Sequence, residues 1–215
     1  MTQHLLLRHL RYRLYSRLPR LYPGALCRMH ETGAVAVTID DGPSAATPRL
    51  LDALDEANIA ATFFISGRAT LEFPRELRLI RERGHLLASH GFAHADLSRQ
   101  SRDVVEADLS RSLDAIAMVS GIRPTLYRPP YGRLHPRHRD IPARHGCALV
   151  LWSAMPADYD TGVPISELLR RIEDIRPRDI VVLHDQPAFV DRTCLCLGRL
   201  GSRRTAGILE YRTIT

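Results

Sequence analysis

The chain of 215 residues carries 30 basic and 24 acidic side chains, a formal net charge of +6, and every basic residue is an arginine. With 45% hydrophobic residues it is long enough to bury one substantial core, and one folded domain is the default expectation. The lack of lysine excludes Schiff-base lysine chemistry and a phosphate-loop lysine.

The excess charge sits at the start. Residues 1–30 hold Arg8, Arg11, Arg13, Arg17, Arg20 and Arg28 with no acid before Glu31, so the remainder is balanced. The opening LLLRHLRYRLYSRLPRLYPG reads as a basic amphipathic helical arm over residues 1–30. Its apolar run is too short for a membrane span or a signal-peptide core. Such an arm packs its leucines on the domain, the favoured reading, or rests residues 1–25 on an anionic membrane surface. With no export signal recognised, the expected location is the cytoplasm or the inner-membrane surface. A balanced body offers no broad basic face, so no nucleic-acid partner is expected. Cys27, Cys147, Cys194 and Cys196 form neither a paired framework nor a C-x-x-C zinc pattern, and are expected as reduced thiols.

From residue 31 to 215 short apolar runs alternate with amphipathic segments. AVAVTI is followed by TPRLLDALDEA, AATFFIS by EFPRELRLIRERG, and HLLAS by VVEADLSRSLDAIAMVSG. A short strand at TLY comes next, then CALVLW before PISELLRRIEDI, DIVVLHD before a weaker helix near residues 190–200, and a last strand around ILEYRTIT. Strands of four to seven residues separated by helical periods predict an α/β layer or barrel of parallel strands. The proline-rich RPPYGRLHPRHRDIP is expected as a loop on the rim, because its prolines cannot sit inside a sheet.

This order puts the polar residues at carboxyl ends of strands, where sites form in parallel α/β folds. Asp40 and Asp41 end the first strand, His90 and His94 follow the third, Arg128 follows TLY, and His184 follows IVVL. The i, i+4 spacing of His90 and His94 lets two imidazoles face one point, on a helical turn or in a tight loop, and a carboxylate would complete a metal set with open positions. If Asp41 is that carboxylate, the bound charge relieves its repulsion with Asp40, which is left to take a proton from water. Alternatively the two acids cap the next helix or form an Asx turn with Gly42 and Pro43, which accounts for one aspartate but not both. His85, His135, His138 and His145 are expected on loops or helix surfaces rather than as ligands.

In order and spacing, TIDDGP, SHGFAH, YRPPYG, WSAMPADY and IVVLHD resemble the five motifs of the NodB-like polysaccharide deacetylases, carbohydrate esterase family 4, over Val35 to Asp185. The resemblance implies a distorted (β/α) barrel of about seven parallel strands, with residues 31–215 as the catalytic domain. It implies a hydrolase that removes N-acetyl groups from an amino-sugar glycan with one divalent metal ion, commonly zinc. Matched motif by motif, Asp41, His90 and His94 would be the ligands, Asp40 the general base and His184 the general acid. Arg128 would hold Asp40, the backbone N–H of Tyr131 would stabilise the oxyanion, and Asp158 would orient His184 and raise its pKa. Leu183 and Trp152 would be walls of the substrate pocket. The fourth motif, often D-x-x-D-W, here has Met155 and Tyr159 at two of its positions, which suggests a less polar pocket near His184. The rival readings are an amidohydrolase of the same superfamily acting on a cyclic imide or ureide, and an inactive carbohydrate-binding homologue.

Overall fold

The computed structural model describes residues 24–214, so most of the expected basic arm lies outside the described residues. The strands are β1 (Ala34–Asp40), β2 (Thr62–Ile65), β3 (Leu86–Ser89), β4 (Leu126–Tyr127), β5 (Ala148–Leu149), β6 (Ile180–His184) and β7 (Glu210–Tyr211). Every pairing is parallel, in the order β5-β4-β3-β2-β1-β6, with β7 against the first residues of β1. The central strand β1 is buried along its whole length, as its unbroken apolar run requires when both faces are covered.

Between the strands lie α1 (Thr47–Glu56), α2 (Gly67–Glu72), α3 (Pro74–Glu82), α4 (Arg102–Ser120), α5 (Ile141–Arg144), α6 (Ile165–Glu173) and α7 (Val190–Thr205). The sequence pattern shows the helix EFPRELRLIRERG, which stands as α3, but not the short α2 that precedes it. The break falls at Phe73, whose φ of −124° and ψ of 57° are not helical, because the residue before a proline is driven out of the α region. Strand alternation divides the core. Val35, Val37, Ile39, Val181 and Leu183 pack outward against the helices, while Ala36, Phe64, Ala88, Leu126, Ile180 and Val182 fill the barrel interior.

The barrel does not close by a regular β5–β6 ladder. The Leu26 N–H donates to the Leu149 carbonyl and the Leu151 N–H to the Leu26 carbonyl, while the Met29 N–H donates to the Arg178 carbonyl. On the other side of this seam the Ala154 N–H donates to the Ile180 carbonyl and the Val182 N–H to the Ala154 carbonyl. Residues 24–30 are therefore bridged into the barrel wall and are not helical, so the last part of the expected arm belongs to the body. The same bonds shorten CALVLW to a two-residue strand, since Leu151 pairs with Leu26 rather than with a neighbouring strand.

Helix α7 extends to Thr205, past the expected 190–200, and the reason is visible in its buried face. Val190, Thr193, Cys196, Leu197, Leu200 and Gly201 recur at helical spacing against the barrel. Arg203 is buried and donates to the carbonyls of Ile172 and Ile175, satisfying acceptors at the end of α6. A Cβ at Gly201 would lie 2.8 Å from the Cα of Ala57. Gly201→Ala would gain up to about 1 kcal/mol in helix propensity but would press on rigid backbone, at a cost of about 1–3 kcal/mol. A net loss of stability is expected, and urea unfolding midpoints check it.

Candidate active site and metal centre

Every polar residue placed at a strand end by the sequence reaches one rim. Asp40 and His184 are register partners on the neighbouring strands β1 and β6. Asp41 then turns out of the strand with φ of 78°, and a cis Gly42–Pro43 bond follows. His90 continues β3, and His94 lies beyond it in a tight loop, not on a helix, with φ of 51°. The cleft above them measures about 730 Å3 and is lined by Asp40, Asp41, His90, His94, Tyr131 and His184 among others. That is a usual size for a small-molecule or sugar site.

Asp41, His90 and His94 form a set whose donor atoms all lie within 4.8 Å of one another. His94 Nε2 is 2.8 Å and His90 Nε2 3.6 Å from Asp41 Oδ1. His90 Nδ1–H donates to the carbonyl oxygen of Arg128 at 2.8 Å, which leaves the Nε2 lone pair facing Asp41. Two imidazoles and one carboxylate, with solvent on one side, suit a catalytic zinc or a similar divalent ion. The charges of Asp41 and His90 already lean that way. Burial alone would raise the Asp41 carboxyl, but the His94 hydrogen bond and the neighbouring histidines outweigh it and hold the group well below the usual carboxylate range. Burial depresses the pKa of His90, the form in which it binds a metal. For His94 burial opposes the proton, yet the bond to Asp41 prevails and raises the pKa.

Arg128 is completely buried inside the barrel. Its guanidinium donates to Asp40 Oδ1 at 2.6 Å, to Thr38 Oγ1 at 2.7 Å and to the Leu151 carbonyl at 2.9 Å. It lies 3.9 Å over the ring of Phe64 and 5.8 Å from that of Trp152. Such a charge is tolerated in a core only because it is paired and hydrogen-bonded. Tyr131 adopts φ of 60°, and its half-exposed ring meets that of His94 in a tilted contact, with centroids 5.1 Å apart. The neighbouring Gly132 and Arg133 N–H groups bond to Pro129 and Pro130, whereas the Tyr131 N–H donates to no group among the described residues.

His184 is held from the other side. Its Nδ1–H donates to Asp158 Oδ1 at 2.8 Å, and Asp158 Oδ2 accepts from the His184 backbone N–H at 2.9 Å and from Thr193 Oγ1 at 2.8 Å. Burial works against the imidazolium, but the Asp158 charge and hydrogen bond outweigh it and push His184 up to about 9. The loop carrying Asp158 is pinned by Arg192, which donates to the carbonyls of Asp158, Asp160 and Val163. Met155 and Tyr159, the departures in the fourth motif, both line the cleft. The Tyr159 ring meets His184 edge-on at 4.9 Å.

Leu183 is not a wall of this pocket. It is fully buried in the outer layer between sheet and helices, because adjacent residues of a strand point to opposite faces and His184 already takes the inner one. Val182 occupies the wall instead. Trp152 does line the cleft, although it is almost wholly buried, with Gly132 pressed against its ring. His85 and His138 are buried rather than superficial, and His85 Nδ1 accepts the Ala61 N–H.

Motif reading also missed Asp185. Its carboxylate accepts the Ser44 and Thr47 hydroxyls, and its N–H donates to the Asp40 carbonyl at 2.9 Å, tying the Asp41 loop to the end of β6. Burial raises its pKa, and the two hydroxyls only partly offset this. Thr193 escaped as well, since nothing in CLC-rich α7 marks one threonine as facing Asp158.

Residues 28–150 match the family described as polysaccharide deacetylase. A peptidoglycan-N-acetylglucosamine deacetylase of Listeria monocytogenes is 32% identical over 155 residues, which cover 70% of this chain but only 32% of that protein's length. A chitooligosaccharide deacetylase of Sinorhizobium fredii is 33% identical over 183 residues, covering 79% of this chain and 85% of that protein. Among solved structures, a family 4 carbohydrate esterase from Streptomyces lividans in complex with acetate aligns with a TM-score of 0.79 at 27% identity, over 85% of this chain and 93% of that one. The barrel, the ordered motifs and these matches agree, and the chain belongs to the polysaccharide deacetylase family, the NodB-like carbohydrate esterases of family 4.

Proposed function

We propose that the protein is a metal-dependent hydrolase that removes acetyl groups from the amino sugars of a glycan, with peptidoglycan and chitooligosaccharides as the first candidates. The observation that carries this reading is the pairing of Asp40, held by Arg128, with His184, held by Asp158, on adjacent strands beside the Asp41, His90 and His94 set. A divalent ion bound by those three residues would polarise the amide carbonyl and acidify water. Asp40 takes the proton from the attacking water. The Tyr131 N–H would donate to the oxygen that becomes negative as the carbonyl carbon turns tetrahedral. His184, protonated near neutral pH, gives its Nε2 proton to the sugar nitrogen as the C–N bond breaks, so acetate and a free amine leave. The substrate names of the Listeria and Sinorhizobium relatives support an N-acetylated glycan.

Acetate release from chitooligosaccharides and peptidoglycan fragments tests the proposal. Stripping the protein with a chelator is expected to lower the rate about 10²–10³-fold, the equivalent of several kcal/mol of lost polarisation, and zinc should restore it. His94→Ala should fail to recover at the same zinc concentration. Activity indifferent to chelation would refute metal dependence, and no acetate from any N-acetylated glycan would refute the reaction.

A further inference from the structure

The loop between the two histidines is clamped by a carboxylate outside all five motifs. Asp108, in the second turn of α4, accepts two successive backbone N–H groups, Phe92 on Oδ2 at 2.8 Å and Ala93 on Oδ1 at 3.1 Å. The start of α2 grips the other side. The Gly67 N–H donates to the Gly91 carbonyl at 2.9 Å and the Arg68 N–H to the Phe92 carbonyl at 3.0 Å. The Ser66 hydroxyl also donates to the Phe92 carbonyl, at 3.2 Å. Arg111, nearly one turn beyond Asp108, lies 3.7 Å over the Phe92 ring.

Gly91 adopts φ of 76°, and any Cβ there would stand 2.7 Å from Asp108 Oδ2, so the approach of this carboxylate depends on a glycine. His94 follows at once in a left-handed conformation, which costs on the order of 1–3 kcal/mol and persists only where surrounding contacts over-determine it. Hydrogen bonds from N–H groups to a charged carboxylate are the strong kind. The residues between the two imidazoles are thus fixed from both sides, and only the Asp108 side depends on one side chain.

We propose that Asp108 is a positioning residue for the metal centre, fixing Gly91, Phe92 and Ala93 so that His90 and His94 present their Nε2 atoms to one point. The inference rests on the proposed binding of an ion by Asp41, His90 and His94. Alanine at this position removes both acceptors, whereas asparagine keeps one, so the effect should be graded.

The test is the zinc dissociation constant of the folded apo protein, read by competition with a chromophoric chelator, alongside the thermal midpoint. Asp108→Ala is expected to weaken zinc about 10–100-fold, the usual range for partners behind a ligand, and Asp108→Asn to fall between it and the wild type. Leu113→Ala, a buried core change on the same helix, should lower the midpoint while leaving zinc affinity within about twofold, a margin well under the tenfold that 1.4 kcal/mol represents. Wild-type zinc affinity in both Asp108 variants would overturn the proposal, as would an equal loss in Leu113→Ala. If Asp108→Ala does not fold, unchanged affinity in Asp108→Asn alone overturns it. A wild type that takes up no zinc refutes the ion-binding reading itself, whereas a zinc-binding wild type with unaffected variants refutes only the role of Asp108.

Discussion

Asp40→Asn is expected to lower kcat for acetate release about 10²–10⁴-fold, the usual contribution of a general base, while zinc affinity stays within a few-fold of wild type. The amide keeps an oxygen for the Arg128 hydrogen bond of 2.6 Å, so the geometry survives, but it cannot take a proton from water. Arg128 then sits buried beside a neutral partner, and some stability is lost as well. Zinc titration and circular dichroism of the variant separate these effects. Full turnover with zinc bound would remove Asp40 from the mechanism.

The second large effect concerns pH. In the proposed reaction His184 must carry its proton to serve the leaving amine, so activity should be lost as pH rises through its pKa. With Asp158 present that pKa is pushed up to about 9, and the alkaline limb of kcat/KM belongs well above neutrality. Asp158→Asn removes the negative charge that favours the imidazolium, so the limb should move toward the ordinary histidine value of about 6.5. At pH 8 the protonated fraction would fall from about nine-tenths to about one-thirtieth, a loss of about thirtyfold at that pH and far less at pH 6. A pH-rate profile checks it. An unshifted alkaline limb would mean that Asp158 does not govern the acid.

The parallel sheet was legible because fully buried strands are written as unbroken apolar runs, and the polar residues that end those runs could only fall on the rim. Asp40, Asp41, His90, His94, Tyr131 and His184 line one cleft for that reason, with Arg128 and Asp158 buried behind Asp40 and His184. Leu183 was misplaced even though the information was present. Once His184 is taken to face the cleft, period-two alternation sends Leu183 outward and Val182 inward. Other features were hidden for physical reasons. The seam closed by Leu26 and Ala154 consists of single bridges between irregular segments, which leave no periodic trace. Asp108, Asp185 and Thr193 act through backbone groups or through another side chain, and a polar residue with such a role reads like any solvated one in the sequence. The position of α7 was clear, but its length was not, because its buried Arg203 looks superficial until the carbonyls at the end of α6 are seen to need donors.

Arg128 stands where a leucine would make the barrel's middle simpler, stacked on Phe64 and close to Trp152, with its far end on Asp40. In terms of mutational drift, the interior of this barrel is not free to vary as an ordinary core. A packed interior passes on small displacements, so a change of volume at Phe64 or Trp152 reaches the Asp40 carboxylate through the guanidinium. Replacing the charged pair with apolar side chains is often neutral or stabilising in other proteins, yet here it would silence the site. Neutral change is thereby steered to the layer between sheet and helices, where one aliphatic residue can replace another without moving the chemistry.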